Sequence, residues 1–511
     1  MGLRHGLLAS FSLVALTVSA GAQTPQRPGE SHATRLAQAA TPVPPPVKSK
    51  TAPAGQTPPK GSSDNLPHTL VEALAATYSN QPALQAERAK LRATDEGVPT
   101  ALAGWRPTVV LAGTGGYGDG VSRSYSPLVG GGSVLNLQTD RVIGTAQATV
   151  SQNIYTGGKV HANVNRSKNQ VFAERANLIA QEQTSFNNAV SAYVGVIQAK
   201  ELLELQVNNE QVLAKQLQAT NDRFRVGEIT RTDVAQAEAA LEGARATRET
   251  AEGTLQTARG TFQQIIGVFP PDDLVEPQPL NLPVKSEQEA SALATANNPN
   301  VINAQFNDAA AKDAIDVAFA ALLPQVNLQG QTFQQTNAGA RSSQSTGYQV
   351  IAQLSVPIYQ GGSEYSAVRQ AKQAQQQTDR LIADAKRTAV QNAVQAWDTL
   401  VAAKAAASST RAQIRANEIA LEGVEREAIV GSRTTLDVLN ATQLLLTSRT
   451  TLVQNLSQVI TASYAVAVAI GRLTARDMHL PVPLYDETAY YEAVKDRWGG
   501  LSDYATSQPG R

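Results

Sequence analysis

The chain has 511 residues, with 43 basic side chains against 43 acidic ones, so its charge offers no argument for nucleic acid or an acidic partner. It contains no cysteine, which excludes disulfides, thiolate catalysis, cysteine metal sites and cysteine lipid anchors. Its five histidines, at 5, 32, 68, 161 and 479, include no local ligand pair. Aromatic residues make up only 5%, a composition suited to long helices packed through small side chains.

Residues 1–22 read as a secretory signal. Arg4 precedes the apolar run "LLASFSLVALTVSA", too short for a transmembrane span, and Ala20 and Ala22 are small enough for cleavage. No later stretch approaches 18 apolar residues, so the exported chain is expected to carry no transmembrane helix. Residues 23–66 are proline-rich, with "PVPPPVKSK" at their centre, and read as a disordered lead-in.

From residue 67 onward the chain is a duplication. "RVGEITRTDV" (225–234) returns as "IVGSRTTLDV" (429–438), "NIYTGG" as "PIYQGG", and Gly267 as Gly471. Upstream, Pro82 and Pro107 return as Pro299 and Pro324, at a slightly wider offset. The extra residues of the first copy fall in "YGDGVSRSYSPLVGGGSVLNLQTDR", whose Gly and Ser content reads as a surface loop. The repeats are 67–269 and 291–474. A proline-broken segment, 270–290, joins them, and 475–511 follows the second.

Each repeat opens with a helix expected to run about 35 residues. The period then switches to two, predicting strands at about 107–117 and 142–155, and at about 325–333 and 348–359. Ala146, Ala148, Val150 and Ile154 alternate with Thr145, Gln147, Thr149 and Ser151. Strands of about 10 residues suit a tilted bilayer crossing, and Tyr155 and Tyr359 suit an interfacial belt. A soluble hairpin with one wet face would show the same alternation.

A proline-free helix then runs from Gly158 to Gly227, and again from Gly362 to Gly431, each about 100 Å long at 1.5 Å per residue. Phe186, Val190, Tyr193 and Ile197 form a coiled-coil seam, as do Leu445, Leu452, Leu456 and Val459 on the second return helix. The leading and return helices of each copy, stacked end to end, match one long helix at roughly 110 Å. Four lipid-facing strands cannot close, because their open edges would leave backbone groups unpaired in hydrocarbon. The chain must associate, as a dimer, a trimer or more.

At the tips, Gly227 and Gly431 are expected to end the long helices in the left-handed conformation. Thr230 and Thr434 then cap the return helices, with Asp233 and Asp437 completing capping boxes. Arg433 has only Ile229 as its counterpart, so it breaks the repeat symmetry.

The signal, the duplicated helix–hairpin–helix order, the Tyr-x-Gly-Gly after the second strand and the Val-Gly-x-x-Thr-x-x-Asp-Val tips together resemble the TolC family of outer-membrane efflux ducts. The resemblance covers about residues 66–475. It implies a mainly α fold with transmembrane β: a trimeric 12-strand β-barrel continued by a 12-column α-helical barrel. The segments 270–290 and 475–511 resemble the family's equatorial belt, with a disordered tail after about 495. The implied function is a passive exit duct for efflux or type I secretion in the outer membrane of a Gram-negative-type cell.

The implied partners are two further copies, outer-membrane lipid, a periplasmic adaptor and an inner-membrane transporter of the RND or ABC class, with no cofactor and no nucleic acid. A latch is implied between Arg433 and Asp233. The family's second restraint, on Thr232, uses a tyrosine where this chain has Ala428. The entrance ring falls on Asp437 and Asn440, of which only the first is acidic; converging carboxylates favour cations and raise one another's pKa. The turns Val226, Gly227, Glu228 and Val430, Gly431, Ser432 resemble the adaptor-docking surface. The competing reading is a periplasmic coiled-coil adaptor, which needs no bilayer-length strands. No catalytic constellation is visible, so no enzyme is expected.

Overall fold

The computed structural model describes residues 66–126, 133–338 and 342–501. The signal segment, residues 23–65 of the lead-in and the last ten residues lie outside the described part. In chain order the first repeat holds α1 (Leu70–Asn80), α2 (Pro82–Asp95), α3 (Gly97–Leu102), β1 (Thr108–Ser126), β2 (Ser133–Tyr155), α4 (Lys159–Arg225) and α5 (Arg231–Ile266). The second holds α6 (Glu287–Asn297), α7 (Pro299–Phe319), β3 (Gln325–Thr336), β4 (Gln344–Ser355), α8 (Ser363–Ile429) and α9 (Thr435–Ala469), followed by α10 (Ala489–Val494).

The leading helices differ from the single run of about 35 residues that periodicity predicts. Proline clashes with a helical residue before it. Gln81 and Asn298, which precede Pro82 and Pro299, are both extended (φ −66°, ψ 116° and φ −64°, ψ 124°). The prolines begin new helices, α2 and α7, where a missing N–H costs nothing. The return helices arrive at these breaks: Gly267 lies beside Asn80, and Gly471 against Asn297. Thus α5 is continued by α2 and α3, and α9 by α7. The short α1 and α6 leave the columns and pack on α4/α5 and α8/α9.

The columns stand in a row. The α2/α5 column flanks α4, the α7/α9 column follows, and α8 lies beyond it. The antiparallel sheet has the matching order β1-β2-β3-β4, so each strand stands over its own column. The long helices α4 and α8 have 67 residues each, about 100 Å. Gly158 and Gly362 begin them with φ of 85° and 84°.

The core sits where short segments cross the columns. Phe186, Val190, Tyr193 and Phe262 are fully buried against Leu74, Leu84 and Ile266. The Tyr193 hydroxyl lies 2.7 Å from the His68 carbonyl and 2.8 Å from that of Val275. Ser463 Oγ accepts from Leu280 N at 3.0 Å, and Glu182 Oε1 from Ala475 N at 2.6 Å. Past 495 the chain is described as far as residue 501, where Arg106 lies over the Trp498 ring at 4.9 Å and donates to the Arg497 carbonyl; the rest of the expected tail, 502–511, lies outside the described residues.

Two further expectations change. The Gly/Ser-rich stretch is strand as far as it is described, not surface loop: β1 has 19 residues and β2 has 23, paired from Thr108–Ser151 to Ser126–Ser133. Glycine hides the alternation there, because it presents no side chain to either face. β3 stops pairing at Gly144, so the first hairpin continues past it as two strands. In addition, α9 carries an 18-residue window of mean hydropathy 1.2, long and apolar enough for a span. Packing accounts for it: Val459, Ile460, Val466 and Ala467 are buried against two clusters of the core.

Candidate functional site

The register sorts the sheet into two faces. Val109, Leu111, Tyr117, Val142, Val150, Leu328, Tyr348, Val350 and Leu354 share one face and are all exposed. The other face carries Thr114, Thr145, Gln147, Gln331 and Gln349. Gln331 donates to Gln147 at 3.1 Å, and Gln349 to Gln331 at 2.9 Å. An apolar exterior over a hydrogen-bonded polar interior is the pattern of a lipid-facing barrel wall. A bulge at Ile154 takes that residue out of the pairing, and Tyr359 lies beyond the end of β4.

At the opposite end are the tips. Gly227 and Gly431 adopt φ of 80° and 79°. The turn closes as Glu228 N donates to the Arg223 carbonyl and Ser432 N to that of Glu427, both at 3.0 Å. Thr230 and Thr434 cap α5 and α9, with both capping boxes complete. Asp233 Oδ2 and Asp437 Oδ2 each accept from the cap's backbone N–H at 2.9 Å.

These bonds, with the threonine hydroxyls, hold both carboxyls below the usual aspartate range. Within one chain, Asp437 is therefore shifted opposite to the direction expected for converging carboxylates. Asn440 is exposed one turn along from Asp437, on the same face. Thr232 is exposed on the first turn of α5, while Ala428 is buried and offers it no hydrogen bond.

Arg433 Nε donates to Glu427 at 2.9 Å, and this pair, like Asp437, belongs wholly to the second tip. One chain does not bring Arg433 and Asp233 together. Sequence reasoning missed the partner residues. Arg223 holds Glu228 in the first tip, and Arg223 and Glu427 occupy matched repeat positions with opposite charge. Comparing the repeats at 223 and 427, rather than only at 229 and 433, would have exposed this reversal. Val226, Ile429 and Val430 are all more than three-quarters exposed, which leaves an apolar rim around the charges.

An open sheet with a lipid-type face, set on helical columns of about 100 Å, defines a membrane-duct subunit. The chain belongs to the outer membrane efflux protein family, whose model matches residues 73–268 and 290–472. Each matched stretch carries one helix–hairpin–helix unit. The outer membrane efflux protein BepC of Brucella suis is 36% identical over 439 residues, which is 85% of this chain and 92% of that protein. The outer membrane protein TolC of Escherichia coli is 25% identical over 318 residues, 58% of this chain and 63% of that one.

Among solved structures, the outer membrane protein VceC from Vibrio cholerae superposes with a TM-score of 0.66 at 18% identity, covering 79% of this chain and 96% of that one. CusC gives a TM-score of 0.68 at 17% identity, covering 78% and 91%. These two likenesses establish the fold. The protein is an outer-membrane duct for efflux or secretion, with its helical columns in the periplasm.

Proposed function

We propose that three copies close into one channel that passively conducts cargo delivered by an inner-membrane transporter through a periplasmic adaptor. The observation that carries this reading is an asymmetry between matched glycines. A Cβ on Gly157 would lie 2.7 Å from Leu323 and 2.9 Å from the Ala320 carbonyl, because β2–α4 packs on the next column. Gly361, its repeat counterpart, has nothing within 4 Å. The repeat relation supplies the missing neighbour: Ala103 and Arg106 of another copy.

The same transposition carries the β2–β3 pairing to a seam between β4 and the next copy's β1. Ala148↔Thr332 becomes Ala352 opposite Gly115. The copy number of three comes from the resemblance.

In the closed ring, three Asp437 side chains and the Asn440 residues line the entrance, and Arg433 exchanges Glu427 for Asp233 of a neighbouring tip to hold it shut. The turns at Val226–Glu228 and Val430–Ser432 receive the adaptor. Nothing among the described residues favours the adaptor reading over a duct.

Asp437→Asn keeps an oxygen for the capping bonds while removing the charge. Single-channel recording is expected to show a lower cation-to-anion permeability ratio and weaker divalent block, with a small loss of thermal stability because the cap favours the ionised carboxylate. Unaltered ion preference and block would remove Asp437 from the entrance.

A further inference from the structure

Residues 485–494, which include α10, lie across α2 and α4 as a strap. Tyr490 and Val494 of the strap are buried, and the Tyr490 hydroxyl donates to Glu96 at 2.9 Å. Tyr485 N donates to the Tyr78 hydroxyl at 2.9 Å, and both tyrosine rings lie against the Arg88 guanidinium. The Tyr491 ring lies 5.5 Å from the guanidinium of Arg175 in α4.

Asp95, the last residue of α2, sits at this junction. It is fully buried, and neither of its carboxyl oxygens has a hydrogen-bond partner. Arg175 attracts it, yet Arg175 Nε is also buried without a partner. The duplication shows what the strap changes. Asp95 and Arg175 correspond to Lys312 and Asp379 of the second repeat, the same two positions with their charges exchanged. There both side chains are exposed. Lys312 bonds Asp308 at 2.7 Å, and Asp308 and Asp379 favour its charged form. In the first repeat the acid has neither water nor a donor.

An ionised carboxylate left in that state is costly, and it takes up a proton instead. Burial pushes the Asp95 carboxyl up to about 7, against the pull of Arg175 and Arg92 and with the help of Glu96 and of Glu487 from the strap. Tyr485, also of the strap, feels the same charge.

We propose that the strap is a pH-sensitive clasp, seated on α2 and α4 while Asp95 is neutral and lifting to let water reach the carboxylate once Asp95 ionises. The sign follows from where the proton is held. The seated state keeps a proton that a hydrated aspartate gives up near 3.8, so the seating advantage is complete below 3.8 and is lost as the pH rises to about 7. The signal is the pH of the periplasm, in which the columns stand.

Amide hydrogen exchange of the purified oligomer reads the strap directly, in peptides covering 484–494 and with rates corrected for the intrinsic effect of pH. Between about pH 5.5 and about pH 7.5 the wild-type protection is expected to fall by roughly tenfold or more. Asp95→Asn keeps the shape and Asp95→Ala removes the buried polar group. Both are neutral throughout, so either folded variant should hold its protection constant across the range. A wild type whose protection does not change, or a variant that loses protection as the wild type does, would overturn the proposal.

Discussion

Val350→Arg is expected to abolish assembly in the outer membrane, while Gln349→Arg, one residue away, leaves it largely intact. The two side chains point to opposite faces of β4. Val350 pairs with Gly330 on the apolar face and is 70% exposed, and Gln349 bonds to Gln331 on the polar face. An arginine held at the bilayer midplane of a barrel costs about 2–4 kcal/mol per strand. A closed oligomer incurs that cost once per copy, so several-fold losses multiply. On the polar face the same side chain reaches water. Outer-membrane fractionation with heat-modifiable oligomer bands reads both variants. Equal tolerance of the two would mean that the faces are assigned wrongly.

The second large effect concerns two glycines that the duplication makes equivalent. Gly471→Ala is expected to destabilise the chain by roughly 3–5 kcal/mol, and Gly267→Ala by only about 1–2 kcal/mol. Both residues have positive φ, at 75° and 89°. This backbone conformation alone penalises any side chain by about 1–2 kcal/mol. The difference lies in the surroundings. A Cβ on Gly471 would lie 2.5 Å from the Asn297 carbonyl oxygen and 2.9 Å from its carbon, whereas on Gly267 it meets only the Asn80 Cβ at 3.4 Å.

Backbone cannot move aside as a side chain can. Here it is held: Asn298, next in sequence, donates to the Ala469 carbonyl at 3.2 Å and caps α7. Thermal unfolding followed by circular dichroism measures the gap between the variants. Equal losses would mean that the α9–α6 junction is looser than described.

Much of this architecture was legible because it rests on backbone rules. The left-handed Gly227 and Gly431 that end α4 and α8, the two threonine caps and their aspartates follow from local chemistry, and repetition reinforced each. The proline breaks are visible as Pro82 and Pro299, but the apolar periodicity on both sides of each break is helical and predicts one long helix. The β1–β2 extension was hidden by Gly118 and Gly120, which blank out the alternation.

At the tips, the sequence pointed to Arg433 through its contrast with Ile229. It did not point to Glu427 as the partner, because that pairing depends on how the turn folds back at Gly431.

The central claim is that the open sheet of one copy is completed by the next, and the absence of cysteine makes it directly testable. Gly115→Cys and Ala352→Cys, combined in one chain, sit on β1 and β4, which are not neighbours within a copy. A disulfide between them must therefore join two copies. After oxidation in outer-membrane preparations, denaturing electrophoresis without reductant is expected to show covalent dimers and trimers, with nothing larger, and neither single variant should link. No cross-link, or a ladder that stops at two or climbs past three, would contradict the closed three-copy duct.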